Sequence, residues 1–209
     1  LDDPTPASPD GGAALMETYS VLQAITEKVG LDNVALRVLR PLEGLKVVCY
    51  YGCLLSRPEP VAKFDDPENP MALDNIMKTL GAEPLPFAFK TECCGAAMGV
   101  PDIKMTGKLS GRILEAAKAI GAQAVVTACP LCHMNLELRQ RQAARISGME
   151  PFNLPVFYYT QLMAYAFGLP EDAMRFDKLT INPTELLNSL ASKRDERMAG
   201  EIEKNRKSV

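Results

Sequence analysis

Five cysteines carry the residue pattern most suited to chemistry. Cys93 and Cys94 are adjacent and Gly95 follows, in Thr91-Glu92-Cys93-Cys94-Gly95. Cys53 lies upstream in Tyr50-Tyr51-Gly52-Cys53, and Cys129 and Cys132 lie downstream in Cys129-Pro130-Leu131-Cys132. The spacers are long, 39 residues from Cys53 to Cys93 (positions 54–92) and 34 from Cys94 to Cys129 (positions 95–128). Only the tertiary fold can unite them. Thiolates are soft ligands suited to zinc, copper(I) and iron–sulfur clusters. Cys129 and Cys132 open a helix, where Pro130 suits the first turn and the amide dipoles favour thiolates. Neighbouring side chains of an extended segment point opposite ways, so Cys93 and Cys94 do not easily share one tetrahedral ion. They suit one larger object, or two irons of one cluster. Gly95 lets the backbone approach such an object closely. Taken alone, the CxxC also suits a zinc half-site or a thioredoxin-like dithiol, though Cys129 comes late for the latter. Zinc stays open for four of the five thiols.

The sixth cysteine, Cys49, sits within a strand and reads as a small buried core residue. His133, the single histidine, reads either as a partly exposed helix residue or as a proton donor beside the site. Arg57, Lys90 and Lys104 flank the cysteine segments, where they would hold an anionic substrate, balance thiolate charge, or be simply solvated.

The elements that must position these thiols alternate in type. Leu45–Tyr51, Pro84–Lys90, Gln123–Ala128 and Pro155–Tyr159 read as strands, the second weakly. Met71–Leu80 (closed by Gly81), Asp102–Ile120 (stopped by Gly121), Leu131–Ile146 and Gln161–Phe167 (capped by Thr160) read as helices. Residues 56–70 hold four prolines and read as a loop. Continuous apolar strands alternating with helices predict an α/β fold: a Rossmann-like parallel sheet of about four strands, helices on both faces. Sites in such sheets form outside the carboxyl ends of the strands, where all three cysteine segments fall. Residues 1–12 read as a linker or disordered lead and 13–42 as N-terminal helices, Ala13–Val29 and Asp32–Leu42 with Asp32 as a cap. Residues 43–170 read as the cysteine-rich domain and 171–209 as a C-terminal helical extension that is a surface helix or binds a partner.

The chain is 47% hydrophobic, enough for a substantial core, and its net charge of −3 offers no basic patch for nucleic acid. Leu154–Leu169, the nearest approach to a membrane span, is short and broken by Pro155 and Gln161. Six cysteines without a secretory signal read as cytosolic thiols, metal ligands or redox groups, which places the protein in the cytoplasm. Starting with Leu rather than Met, the chain reads as a trimmed piece.

The order Cys53, Cys93-Cys94-Gly95, Cys129-Pro-Leu-Cys132 resembles the CCG cysteine-rich domain family, and most closely the B-type subunits of heterodisulfide reductase. Tyr50–Leu55, Phe64-Asp65-Asp66-Pro67-Glu68-Asn69-Pro70 and Thr127–Cys132 running into Asn135-Leu136 extend the likeness over about residues 35–170. The resemblance implies an oxidoreductase subunit with a non-cubane [4Fe-4S] cluster on Cys53, Cys93, Cys94, Cys129 and Cys132. It implies electrons from a ferredoxin-like C subunit and a flavin-bearing A subunit, and a small-molecule disulfide as substrate, with His133 or water as the proton source. A preparation handled in air is expected to lose the cluster. The family carries two CCG motifs; this chain has one, matching the carboxyl-terminal motif, with the other half removed or on another chain. Alone it is expected to bind a cluster without turnover. The alternatives are an iron–sulfur electron-transfer subunit of a hydroxyacid or quinone oxidoreductase, against which Phe64–Pro70 weighs, and a structural zinc module.

Overall fold

A computed structural model describes residues 18–207. Four parallel strands, β1 (Lys46–Tyr50), β2 (Glu83–Pro84), β3 (Ala124–Thr127) and β4 (Val156–Tyr158), form a sheet in the order β2-β1-β3-β4. Val47 pairs with Pro84 on one side and with Ala124 on the other, and Val126 pairs with Phe157. Side chains alternate between two apolar layers, as a parallel sheet covered on both faces requires. Val47, Cys49, Tyr51, Ala124, Val126 and Phe157 meet Leu73, Ile76 and Met77 of α1 (Ala72–Thr79) in one layer. Val48, Tyr50, Val125 and Val156 enter the other, with Ile113 and Leu114 of α2 (Ile103–Ala119), Leu136 of α3 (Pro130–Leu138) and Ala143 of α4 (Gln140–Ser147). Helix α5 (Tyr159–Ala166) returns to the first layer through Leu162 and Ala166. The long α6 (Thr184–Lys207) joins it through Leu187 and Leu190, and most of its remaining described residues are exposed.

The chain leaves β1 toward β2 over one face and leaves β3 toward β4 over the other. The carboxyl ends of β1 and β3 therefore border the crevice where doubly wound sheets bind ligands. This confirms the expected α/β parallel sheet.

Several elements differ from the expectation in extent. β2 stops at Pro84 because it is an edge strand with prolines at 84 and 86, which lack donors; after Leu85 N bonds Val47 O the chain turns away. The expected helix Leu131–Ile146 is two, broken at Arg139 (φ −96°, ψ 6°), whose guanidinium donates to Gly99 O, while Gln140 brackets the Leu154 backbone. Asp32–Leu42 contracts to Leu31–Ala35 with Gly30, not Asp32, at its start, because Leu39 N and Arg40 N both donate to Ala166 O. Thr160 lies inside α5; Tyr158 takes the cap position, its N–H bonded to Gln161 Oε1. Ser20 Oγ accepts from Gln23 N to start the N-terminal helix, which continues as a π-helix over Ala24–Val29; Ala13–Glu17 and the expected linker 1–12 lie outside the described residues. The proline-rich loop 56–70 contains one short helix, Glu59–Ala62.

Candidate functional site

Each cysteine segment follows a strand, and the backbone there is held by buried polar side chains. Gly52 turns the chain after β1 at φ +74°, a conformation glycine adopts without strain, and a Cβ there would stand 2.9 Å from Cys132 Sγ. The sulfur of Cys132 occupies the space that glycine leaves. Cys129 follows β3, with its amide bonded to Thr127 Oγ1, and Pro130 begins α3. The chain from β2 reaches Cys93 through a turn whose Lys90 carbonyl accepts from both Tyr51 N and Gly52 N.

All six cysteines are free thiols. Cys94 Sγ lies 3.6 Å from Cys132 Sγ, both buried, and the Cys129 thiol interacts with Cys132 as well. Cys93 is exposed and Cys53 half-buried, and these two interact with each other. The Cys132 thiol is shared between its neighbours. Its hydrogen bonds lower Cys94 and Cys129 to about 6, helped by the backbone amides of Ala96 and of Leu131 and Cys132 respectively. The same bonds, with burial, raise Cys132; burial and Cys93 raise Cys53. Cys49 is enclosed in the first apolar layer and its thiol is pushed up by burial, as expected of a core residue.

Three carbonyls of the Cys93-Cys94-Gly95 turn are held from below. Tyr50 Oη donates to Glu92 O (2.5 Å), Ser110 Oγ (2.9 Å) and Asn135 Nδ2 (2.7 Å) donate to Cys94 O, and Thr106 Oγ1 donates to Gly95 O (3.1 Å). Asn135 also donates to Ser110 Oγ. All four of these side chains are buried. The sequence does not single out Thr106 and Ser110; the one signal it holds is two hydroxyl residues on one face of an amphipathic helix directly after the cysteine pair.

His133 Nε2 is 3.0 Å from Val156 O, its ring edge-on to Tyr158, and burial lowers its pKa. A carbonyl only accepts, so Nε2 carries the proton and Nδ1 is the nitrogen left for exchange. Lys90 does not face a substrate: its ammonium is buried on Asp74. Arg57 bridges Glu68, Pro67 O and Thr91 Oγ1, tying the Phe64–Pro70 loop to the residues before Cys93. Lys104 is exposed.

Whether these residues fit a cluster is testable on their chemistry. Among the described residues, no three or more His, Cys, Asp or Glu side chains are grouped to hold a single metal ion. What the crevice offers is five thiols on three segments that follow β1, β2 and β3, two of them drawn toward the thiolate and served by backbone amides. That donor set fits a multi-iron cluster.

Fold and site together define a doubly wound α/β protein with a cysteine-lined crevice. Residues 47–137 match the family model of the CCG cysteine-rich domain. The chain is 33% identical over 170 residues to the membrane anchor of the 8-methylmenaquinol:fumarate reductase of Wolinella succinogenes (81% of this chain, 59% of that protein). It is 27% identical over 173 residues to the B-type subunit of the ferredoxin/F(420)H(2)-dependent CoB-CoM heterodisulfide reductase of Methanosarcina acetivorans (82% and 57%). It is 31% identical over 152 residues to a heterodisulfide reductase B-like protein of Archaeoglobus profundus (71% and 50%). The chain thus spans between half and three-fifths of these relatives. A crystal structure of a hypothetical protein from Helicobacter pylori shares the fold, with TM-score 0.53 at 11% identity over 69% of this chain and 26% of that one. Among the described residues no helix is long and apolar enough to cross a membrane.

Proposed function

We propose that this chain is the cluster-bearing part of a heterodisulfide reductase B-like oxidoreductase subunit. Cys53, Cys93, Cys94, Cys129 and Cys132 hold a non-cubane [4Fe-4S] cluster, and a small-molecule disulfide is the substrate class. The observation that carries this is the Cys94–Cys132 approach of 3.6 Å between two cysteine segments from different strands, with thiolate-favouring amides at Cys94 and Cys129. When bound, the cluster supplies one-electron transfer and soft iron for sulfur.

Reductive cleavage consumes two electrons and two protons, breaks one S–S bond and releases two thiols. The electrons come from partner subunits, a ferredoxin-like one fed by a flavin-bearing one. His133, fixed on Val156 O, presents Nδ1 as the proton-handling atom, with water as the other source. Leu54 and Leu131, beside Cys53 and between Cys129 and Cys132, are exposed apolar side chains that a substrate or second domain would cover. A second CCG half, from an N-terminal segment or another chain, completes the enzyme, and the assembly works in the cytoplasm. Anaerobic reconstitution should give about four irons and four sulfides per chain. Stoichiometric zinc without sulfide would overturn the reading.

A second reading is electron transfer without disulfide chemistry, in a quinone-linked oxidoreductase. The 33% identity to a methylmenaquinol:fumarate reductase component favours it. The Phe64–Pro70 segment does not decide between them, because its visible work is architectural: Asp65 caps α1, and Asp66 closes a turn on Glu68 N and Asn69 N. EPR of the loaded chain separates the two. Perturbation by added thiols supports disulfide chemistry, and indifference to them supports electron transfer alone.

A further inference from the structure

The three clamped carbonyls have a geometric consequence. In a trans peptide unit the C=O and the following N–H point in opposite directions. Ser110 and Asn135 pull Cys94 O into the interior, so the Gly95 N–H of the same unit points the other way, and it lies 3.3 Å from Cys93 Sγ. Thr106 pulls Gly95 O inward, so the N–H of Ala96 in the same peptide unit points the other way, and that amide favours the Cys94 thiolate. Tyr50 fixes the unit before Cys93 through Glu92 O. Each grip is made by a side chain buried on β1, α2 or α3, so the turn cannot relax by solvating its carbonyls. Gly95 fits because it takes φ +76° where Thr106 and Leu109 leave about 3 Å for a Cβ.

We propose that Tyr50, Thr106, Ser110 and Asn135 are positioning residues that dedicate the amides of the CCG turn to the ligand sulfurs and thereby set the cluster's reduction potential. This rests on the cluster reading above. Reduction adds negative charge to the sulfurs, and amide donors stabilise that charge, so a loosened turn disfavours the reduced state. Asn135 has a second effect: located three residues after Cys132, it joins the helix bearing one ligand to the carbonyl of another.

The test uses the full chain, reconstituted anaerobically with iron and sulfide. Tyr50→Phe, Thr106→Val and Ser110→Ala each delete one hydroxyl and keep the shape; Ser110→Thr restores a hydroxyl. Variants that load like wild type should show a lower midpoint potential, read as a several-fold fall in the reduced-to-oxidised ratio at fixed potential, and altered EPR g-values. Ser110→Thr should return both toward wild type. A folded variant that cannot take up iron and sulfide also supports the assignment. Loaded variants with wild-type potential and EPR but a lowered Tm overturn it, leaving only a structural clamp. It falls equally if none of the three hydroxyl deletions folds. If wild type itself takes up no iron and sulfide, the cluster reading fails instead, and the two failures are distinguishable.

Discussion

Lys90 Nζ lies 3.0 Å from Asp74 Oδ1, and both side chains are almost wholly buried. Asp74 Oδ2 also accepts from Tyr51 Oη at 2.7 Å, and the ammonium donates to Pro70 O at 2.9 Å. Residue 90, three before Cys93, is thus pinned to α1 by its side chain and to the end of β1 by its carbonyl. Removing one partner of such a pair strands a buried charge. Lys90→Met should cost about 3–5 kcal/mol in denaturant unfolding, and the double variant Lys90→Met/Asp74→Leu should recover most of it. A single variant as stable as the parent would contradict the burial of this pair.

Gly52 and Gly30 share a positive φ but not their surroundings. A Cβ at Gly52 meets Cys132 Sγ at 2.9 Å, whereas at Gly30 nothing lies within 4 Å. Both alanine variants should lose about 1–3 kcal/mol from backbone strain. Only Gly52→Ala should also lower iron uptake, because the Cys132 sulfur must shift. Equal iron content in the two would show that the Gly52 approach does not shape the site.

The six cysteines should divide cleanly. Serine at Cys53, Cys93, Cys94, Cys129 or Cys132 should reduce bound iron and sulfide and change the EPR spectrum of what remains. Cys49→Ala should leave iron and sulfide unchanged and cost on the order of 1 kcal/mol from the core. Iron loss in Cys49→Ala exceeding its loss of stability would make Cys49 part of the site.

The carboxylate of Asp65 accepts the amides of Met71 (2.8 Å) and Ala72 (2.6 Å) at the start of α1. Asp65→Ala should therefore cost about 1–2 kcal/mol, measured by thermal unfolding, as for loss of a helix cap. Its cluster spectrum and its response to thiols should match wild type. A changed thiol response at unchanged stability would assign the Phe64–Pro70 loop a part in substrate choice.

Stripping iron with a chelator in air should leave the sheet intact. The two apolar layers close around β1 and β3 without drawing on the cysteine crevice as a whole; Cys94 and Cys132 belong to the second layer and Cys129 packs against it. Far-UV circular dichroism of the stripped chain should match that of the loaded chain, with Tm lowered by the lost binding energy. Collapse of the helical signal would show that the cluster is needed to form the fold.

The sequence by itself determined the alternation of strands and helices, since continuous apolar runs such as Val47–Tyr50 and Ala124–Thr127 have no other stable place than a sheet covered on both faces. It also determined that Cys53 and the Cys129–Cys132 segment follow strand ends, because Gly52 and Pro130 punctuate those ends locally, whereas β2 ends at Pro84, well short of Cys93. Tertiary structure alone decided the rest. The carbonyl grips of Tyr50, Thr106, Ser110 and Asn135 join residues far apart in the chain, and a buried hydroxyl looks like any other until its acceptor is in place. Lys90 read as a group for anions because its charge suggests solvent; the fold instead encloses it with Asp74, a pairing 16 residues away (74 to 90) that no local pattern announces. The break at Arg139 likewise comes from partners at Gly99 and Leu154, where long-range hydrogen bonds outweigh a helical propensity that continues through the break.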